Sequence, residues 1–279
     1  MHLFALLIII SLAWIVRCSS IGTGTWAKRW HQALFVLVFP ALLLLSTAIA
    51  VLYMGCHGAM LGIQVGSWGC AVSASLLIFA LGCLGKLAYQ GNQAIDQLTN
   101  YEQQSIEGNT ARIIELDLPY SAQIGFWRSE LVVSRGLLAT LDQEHLKAVL
   151  AHEQAHVYYR DTFWFFWLGW LRSFSCWLPN TETLWQELML LRELRADRQA
   201  AQEVDFLLLA ESLLIVAKTP LESSPILCAN FNDDIVGDRL NERINSLLEE
   251  TEPVDSVQWQ YWSWLCLLFL PLLTIPLHY

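Results

Sequence analysis

Apolar residues fill both ends of the chain and alternate with polar ones only in its middle. Residues 2–16 (HLFALLIIISLAWIV) form a short apolar run that stops at Arg17. The run opens without a basic n-region and closes without a small-x-small cleavage site, so it reads as a retained span and not as a signal peptide. Residues 33–54 and 70–89 are apolar over roughly 20 residues each, the length that crosses about 30 Å of hydrocarbon. Residues 259–277 (WQYWSWLCLLFLPLLTIPL) predict a fourth span. Its Trp and Tyr gather at one end as in an interfacial belt, and a bilayer tolerates its prolines.

Between the third and fourth runs the periodicity changes. Residues 111–118 (ARIIELDL) and 123–133 (QIGFWRSELVV) alternate as strands do, the second with room for a hairpin turn near Arg128–Glu130. Thr140 followed by Gln143 resembles a capping box opening an amphipathic helix from Leu141 to about Tyr159, with Leu146, Val149 and Leu150 as its apolar stripe. A second helix is predicted from Thr181 to Gln202, after the stop at Pro179.

Composition sharpens this division. The chain is 55% hydrophobic with 13 Trp in 279 residues, too apolar for an ordinary soluble domain. All 26 Asp and Glu lie between Asp96 and Asp255, whereas the first 95 residues carry only Arg17, Lys28, Arg29 and Lys86. The expected class is an α-helical polytopic membrane protein with one α+β domain. Its expected regions are a membrane region 1–91 with three spans (2–16, 33–54, 70–89), a polar domain 92–255, and a C-terminal span in 256–279.

The basic residues between the first two spans put that loop in the cytoplasm. The polar domain follows on the same side, at a cell membrane such as a bacterial inner membrane. A net charge of −10 without a basic stripe excludes nucleic acid as a partner. The seven Cys form no CxxC pair and read as buried hydrophobes; Cys56 and Cys70 would pair only if their loop faces an oxidising compartment.

The chemistry concentrates in VLAHEQAHVYYRD, residues 149–161. On a helix, His152 and His156 share a face and can turn ring nitrogens toward one ion about 2.1 Å away. Glu153 then stands beside that ion as a general base for water. With 7 His in 279 residues, chance supplies an HExxH roughly 0.01 times. In LRELRADRQA, Glu193 completes a His2Glu zinc site, and Asp197, one turn on, accepts the outer N–H of a ligand histidine. Arg192, Arg195 and Arg198 read as a solvated face. His2, His31, His57, His145 and His278 are isolated and read as packing.

The stretches GFWRSELVVSRGLLATLDQEHLKAVLAHEQAHVYYRD, LRELRAD and GDRLNERINSLLEE resemble the BlaR/MecR-type membrane zinc metallopeptidases over roughly residues 95–250. That resemblance implies three N-terminal spans, a cytoplasmic gluzincin-like domain and a later span. One zinc ion would be held by His152, His156 and Glu193, with Glu153 as base and Asp197 as the acid of ExxxD. It also implies that an edge strand, Gly125–Val133 with Gly125, Phe126 and Trp127, receives the substrate as an added strand.

The antibiotic sensors of that family continue into an extracellular penicillin-binding domain, and this chain stops at Tyr279. A separate sensor protein, a second copy of the chain or the membrane is then expected to supply the signal, and a protein such as a transcriptional repressor to be the substrate. The apolar run 163–178, between the histidines and Glu193, cannot be a single crossing without splitting the ligands, and is expected to lie in the bilayer interface with Arg172 near head groups. The alternatives are a housekeeping protease of the HtpX type and a noncatalytic zinc-containing receptor or scaffold.

Overall fold

The computed structural model describes residues 2–19, 22, 24–60, 63–218, 233–248 and 259–278. In chain order these form helices α1 (His2–Arg17) and α2 (Trp26–Met54), strands β1 (Ala59–Met60) and β2 (Ile63–Gln64), and helix α3 (Ser67–Leu98). Strands β3 (Gln103–Ile106), β4 (Asn109–Ile114), β5 (Ser121–Gly125) and β6 (Ser129–Ser134) follow. Then come helices α4 (Arg135–Thr140), α5 (Gln143–Tyr158), α6 (Asp161–Phe174), α7 (Thr181–Ala200), α8 (Phe206–Lys218) and α9 (Asp233–Leu248). Contacts divide the chain into two compact units. One comprises Met1–Ala88, Trp167–Met189 and Pro253–Tyr279; the other comprises Tyr89–Phe166 and Leu190–Glu252. The contiguous blocks expected from the charge map thus differ from the contacts, which bring Trp167–Met189 into the first unit.

In the first unit, α2 and α3 are long and apolar enough to cross a membrane, while α1 at 16 residues is shorter. Its core joins Ala13, Ala41, Leu44 and Ala80 to Leu171, Phe174 and Leu178, the alanines letting backbones approach. The Trp170 indole donates to the Ala80 carbonyl at 2.8 Å, so this part of the apolar run 163–178 is buried within the unit. Arg172, expected near head groups, pairs with Glu182 at 2.6 Å. Arg17, expected as a loop charge, is fully buried and donates to Thr181 Oγ1, Ser175 Oγ and the Leu37 carbonyl. Cys56 and Cys70 form a disulfide across the α2–α3 loop.

The expected C-terminal α-helical span is not observed in the described residues. Trp259–Phe269 is a 3-10 helix, followed by one four-residue α-turn, α10 (Leu270–Leu273), and a second 3-10 turn, Ile275–Leu277. Pro271 and Pro276 each stand at the first positions of their turn, where the missing N–H has no helical partner to lose.

The second unit is built on a four-stranded sheet of order β3-β4-β6-β5. β4 and β6 run parallel, and the outer pairs are antiparallel. Alternation works as expected on one face: Ala111 and Ile113 of β4 and Leu131 and Val133 of β6 meet Val149 and Leu150 of α5. The hairpin turns at Phe126–Arg128, just before the expected position, so Gly125–Val133 is not one strand. β5 is the sheet edge and β6 is interior. Gly125 has φ +149°, and a Cβ there would stand 2.2 Å from the Arg128 carbonyl, so this turn requires glycine.

The start of the active helix also shifts. Thr140 ends α4 with its hydroxyl on the Gly136 carbonyl, and Asp142 caps α5 by accepting from the N–H groups of Glu144 and His145.

Candidate active site

Two helices of the second unit supply the site. α5 presents His152, Glu153 and His156, all buried, and α7 presents Glu193 and the buried Asp197. His152 Nε2 lies 3.2 Å from His156 Nε2 and 3.3 Å from Glu193 Oε2, and His156 Nε2 lies 3.8 Å from Glu193 Oε1. A tetrahedral ion with ligand bonds of about 2.1 Å has edges of about 3.4 Å, so these three donors fit one metal ion. Two imidazoles and one carboxylate could hold a metal ion, and they are a donor set that catalytic zinc sites use.

The outer nitrogen of each ring faces a carboxylate. His152 Nδ1 stands 2.8 Å from Asp197 Oδ1, where the sequence reading puts it. His156 Nδ1 stands 2.7 Å from Asp161 Oδ2. The His156 hydrogen bond fixes that ring's tautomer and leaves its Nε2 free to ligate, while His152 meets Asp197 as a close ion-pair contact. Each carboxylate is met by an arginine: Arg195 pairs with Asp161, and Arg243 of α9 grips both oxygens of Asp197 at 2.7 and 2.8 Å.

The electrostatics follow from this packing. Burial resists a charge on His152, but Asp197 and Glu193 outweigh it and raise the ring to about 10. Burial would raise Glu193, yet its bond to His152 and the charges of Arg192 and Arg243 hold it well below the carboxylate range. Asp197 is likewise held down, its burial overcome by Arg243 and His152.

Glu153 projects toward the sheet. Its Oε1 accepts from Ser121 Oγ of β5 at 2.7 Å, and its buried Oε2 has no partner among the described residues. That free oxygen is what a proton-accepting group in the site needs. Burial and the Glu153 charge raise the Tyr120 phenol, which therefore stays an O–H. Of the expected substrate-strand residues, Gly125 ends the edge strand. Phe126 and Trp127 lie in the turn, their rings packed against Phe163 at 5.2 and 5.1 Å.

Asp161, Ser121 and Arg243 are functional candidates that sequence reasoning missed. Arg192 and Arg195 also depart from the solvated face assigned to them. Arg192 pairs with Glu193 at 2.6 Å and lies over Phe165; Arg195 stacks over Tyr159 at 4.0 Å. Asp161 stands in the same VLAHEQAHVYYRD stretch, five residues past His156, and Arg243 in GDRLNERINSLLEE, so both were within the motifs quoted.

Comparison with known proteins agrees with this chemistry. Residues 94–215 match Peptidase family M48. The chain is accordingly a metallopeptidase, a hydrolase of peptide bonds. M48 peptidases are zinc metalloproteases, which fits the donor set of His152, His156 and Glu193. No curated protein matches the chain.

Proposed function

We propose that this chain is an integral-membrane zinc endopeptidase that cuts protein substrates at the cytoplasmic membrane face. The observation that carries this reading is the His152–His156–Glu193 triangle beside Glu153 Oε2, within reach of an open sheet edge. His152, His156 and Glu193 hold the ion. A zinc ion held there would supply Lewis acidity toward a scissile carbonyl and toward a water molecule. Glu153 Oε2 takes the proton from the attacking water and returns it to the departing amine. The substrate backbone pairs along the free edge of β5, which sets its carbonyl beside Glu153.

Two features support the cytoplasmic side. Lys28 and Arg29 lie in the first turn of α2, ahead of its apolar stretch, as the positive-inside rule asks. The Cys56–Cys70 disulfide needs an oxidising compartment, which favours the α2–α3 loop lying outside and the end of α3 inside. The resemblance to BlaR/MecR-type peptidases suggests regulated proteolysis, for example of a transcriptional repressor.

The test compares newly generated protein N-termini in cells carrying the wild-type chain and the Glu153→Ala chain, with zinc measured on both purified proteins. Termini that vanish in the variant while zinc remains establish the peptidase and identify its substrate. Identical termini with zinc bound would favour a noncatalytic scaffold, and a wild-type protein without zinc would remove the metal site.

A further inference from the structure

We infer that Arg243 is a positioning residue of the zinc centre, acting on the metal through Asp197 and His152. The inference rests on the zinc site proposed above. Arg243 belongs to α9, beyond the stretch 94–215 that matches the peptidase family, so the catalytic unit extends past that stretch.

The contacts form one chain of polar atoms. Arg243 Nε and Nη2 donate to the two oxygens of Asp197 at 2.7 and 2.8 Å, a parallel fork that fixes the plane of the carboxylate. Asp197 Oδ1 in turn lies 2.8 Å from His152 Nδ1, and His152 Nε2 faces Glu193. Arg243 Nη1 also lies 3.6 Å from Glu193 Oε2, so one guanidinium faces both a metal ligand and the carboxylate behind another ligand. Asp197 is 1% exposed, and a buried carboxylate without a cation is strongly disfavoured.

Glu193, partly buried, and Asp197, fully buried, stand one helical turn apart on α7 and repel each other when no cation is near. Zinc supplies one such cation when bound. Arg243 supplies another at all times, and its two-point fork holds the Asp197 carboxylate oriented before the metal arrives. Without it, Asp197 is free to rotate, and His152 loses the contact that aims Nε2 at the ion. The α7 carboxylates, the α5 histidine and α9 are thus tied together at one guanidinium. This gives α9 a catalytic consequence that its distance in sequence from the HExxH motif conceals.

The experiment measures zinc affinity of the purified full-length chain by competition with a chromophoric chelator. It uses wild type, Arg243→Met, Arg243→Lys, Asp197→Asn, and the double variant Asp197→Asn with Arg243→Met. Loss of an outer-shell partner weakens metal affinity by about 10–100-fold, and this is the effect expected for Arg243→Met. Because Arg243 acts through Asp197, the double variant should bind zinc no more than about threefold worse than Asp197→Asn alone.

Wild-type affinity in Arg243→Met would overturn the inference, as would a double variant whose loss equals the product of the two single losses. Should Arg243→Met fail to fold, Arg243→Lys decides: a lysine keeps the charge but not the fork, and is expected to weaken binding by about tenfold. Wild-type affinity there would overturn the positioning role. A wild-type chain that binds no zinc would sink the metal centre itself, and this inference with it.

Discussion

The charge state of His152 gives the most direct quantitative test of the site. In the metal-free protein the ring lies between Asp197 and Glu193, which raise it from 6.5 to about 10 against the opposing effect of burial. A ligand histidine must be neutral, so zinc has to displace this proton. The raised value means that the charged ring is preferred over the neutral one near neutral pH. That preference is a competitor of the metal.

The apparent association constant for zinc should therefore rise about tenfold per pH unit between about pH 6.5 and pH 9, and about one proton should leave this ring per ion bound. Chelator competition at several fixed pH values, corrected for the chelator's own protonation, measures the slope. Asp197→Asn removes one of the two anions holding the proton, so its slope at pH 7.5 should be shallower than that of wild type. A flat wild-type profile from pH 6.5 to 9 would refute the argument, because it would mean the ring is already neutral. The same shift makes a statement about the metal-free fold. The folded value lies above the unfolded one, so the charged ring stabilises the fold fully below about pH 6.5, and that contribution is lost as pH rises through about 10.

Other predictions address single contacts. Asp161→Asn, which weakens the carboxylate on His156 Nδ1, should lower zinc affinity by about 10–100-fold in the same competition assay, and unchanged affinity would remove Asp161 from the site. Ser121→Ala takes away the hydroxyl held by Glu153 Oε1; zinc content should stay at the wild-type level while kcat on any cleaved substrate falls about tenfold. Gly136→Ala would bring a Cβ to 2.0 Å from the Asp117 carbonyl, and thermal melts should show a loss of about 1–3 kcal/mol. Reducing the Cys56–Cys70 bridge, which spans 14 residues, should cost about 3 kcal/mol of stability. In intact cells a membrane-impermeant thiol reagent applied from outside should then label both cysteines, and labelling only after lysis would reverse the proposed orientation.

How far the sequence could be read depended on whether a feature was local. His152, Glu153 and His156 are legible because a helix fixes the relation of positions four apart, and Glu193 with Asp197 repeats that relation on α7. The pairings behind them are not local. Arg243 reaches Asp197 across 46 residues and Ser121 reaches Glu153 across 32, and no periodicity encodes such partners. The sheet edge was misplaced for a different reason. Alternation marks residues 123–133 as extended, but Gly125 is where the chain reverses, and a glycine inside an alternating run is itself a signal of a turn.

The arginines of α7 show most clearly why a solvated-face reading failed. A helix with a water-exposed side segregates its charges on that side. Here Leu190, Leu191, Leu194 and Ala196 are buried while Arg192, Glu193, Arg195 and Asp197 lie among them, so charged and apolar positions share the same turns. Over residues 190–197 the helix therefore offers water no side made of charges alone. Its charges find partners within the protein: Glu193 and Phe165 for Arg192, Asp161 for Arg195, and His152 and Arg243 for the two carboxylates. The mixing of LRELRAD, with charge and leucine on every side, is therefore a mark of a buried polar network, and its two carboxylates become candidates for a site before any metal motif is considered.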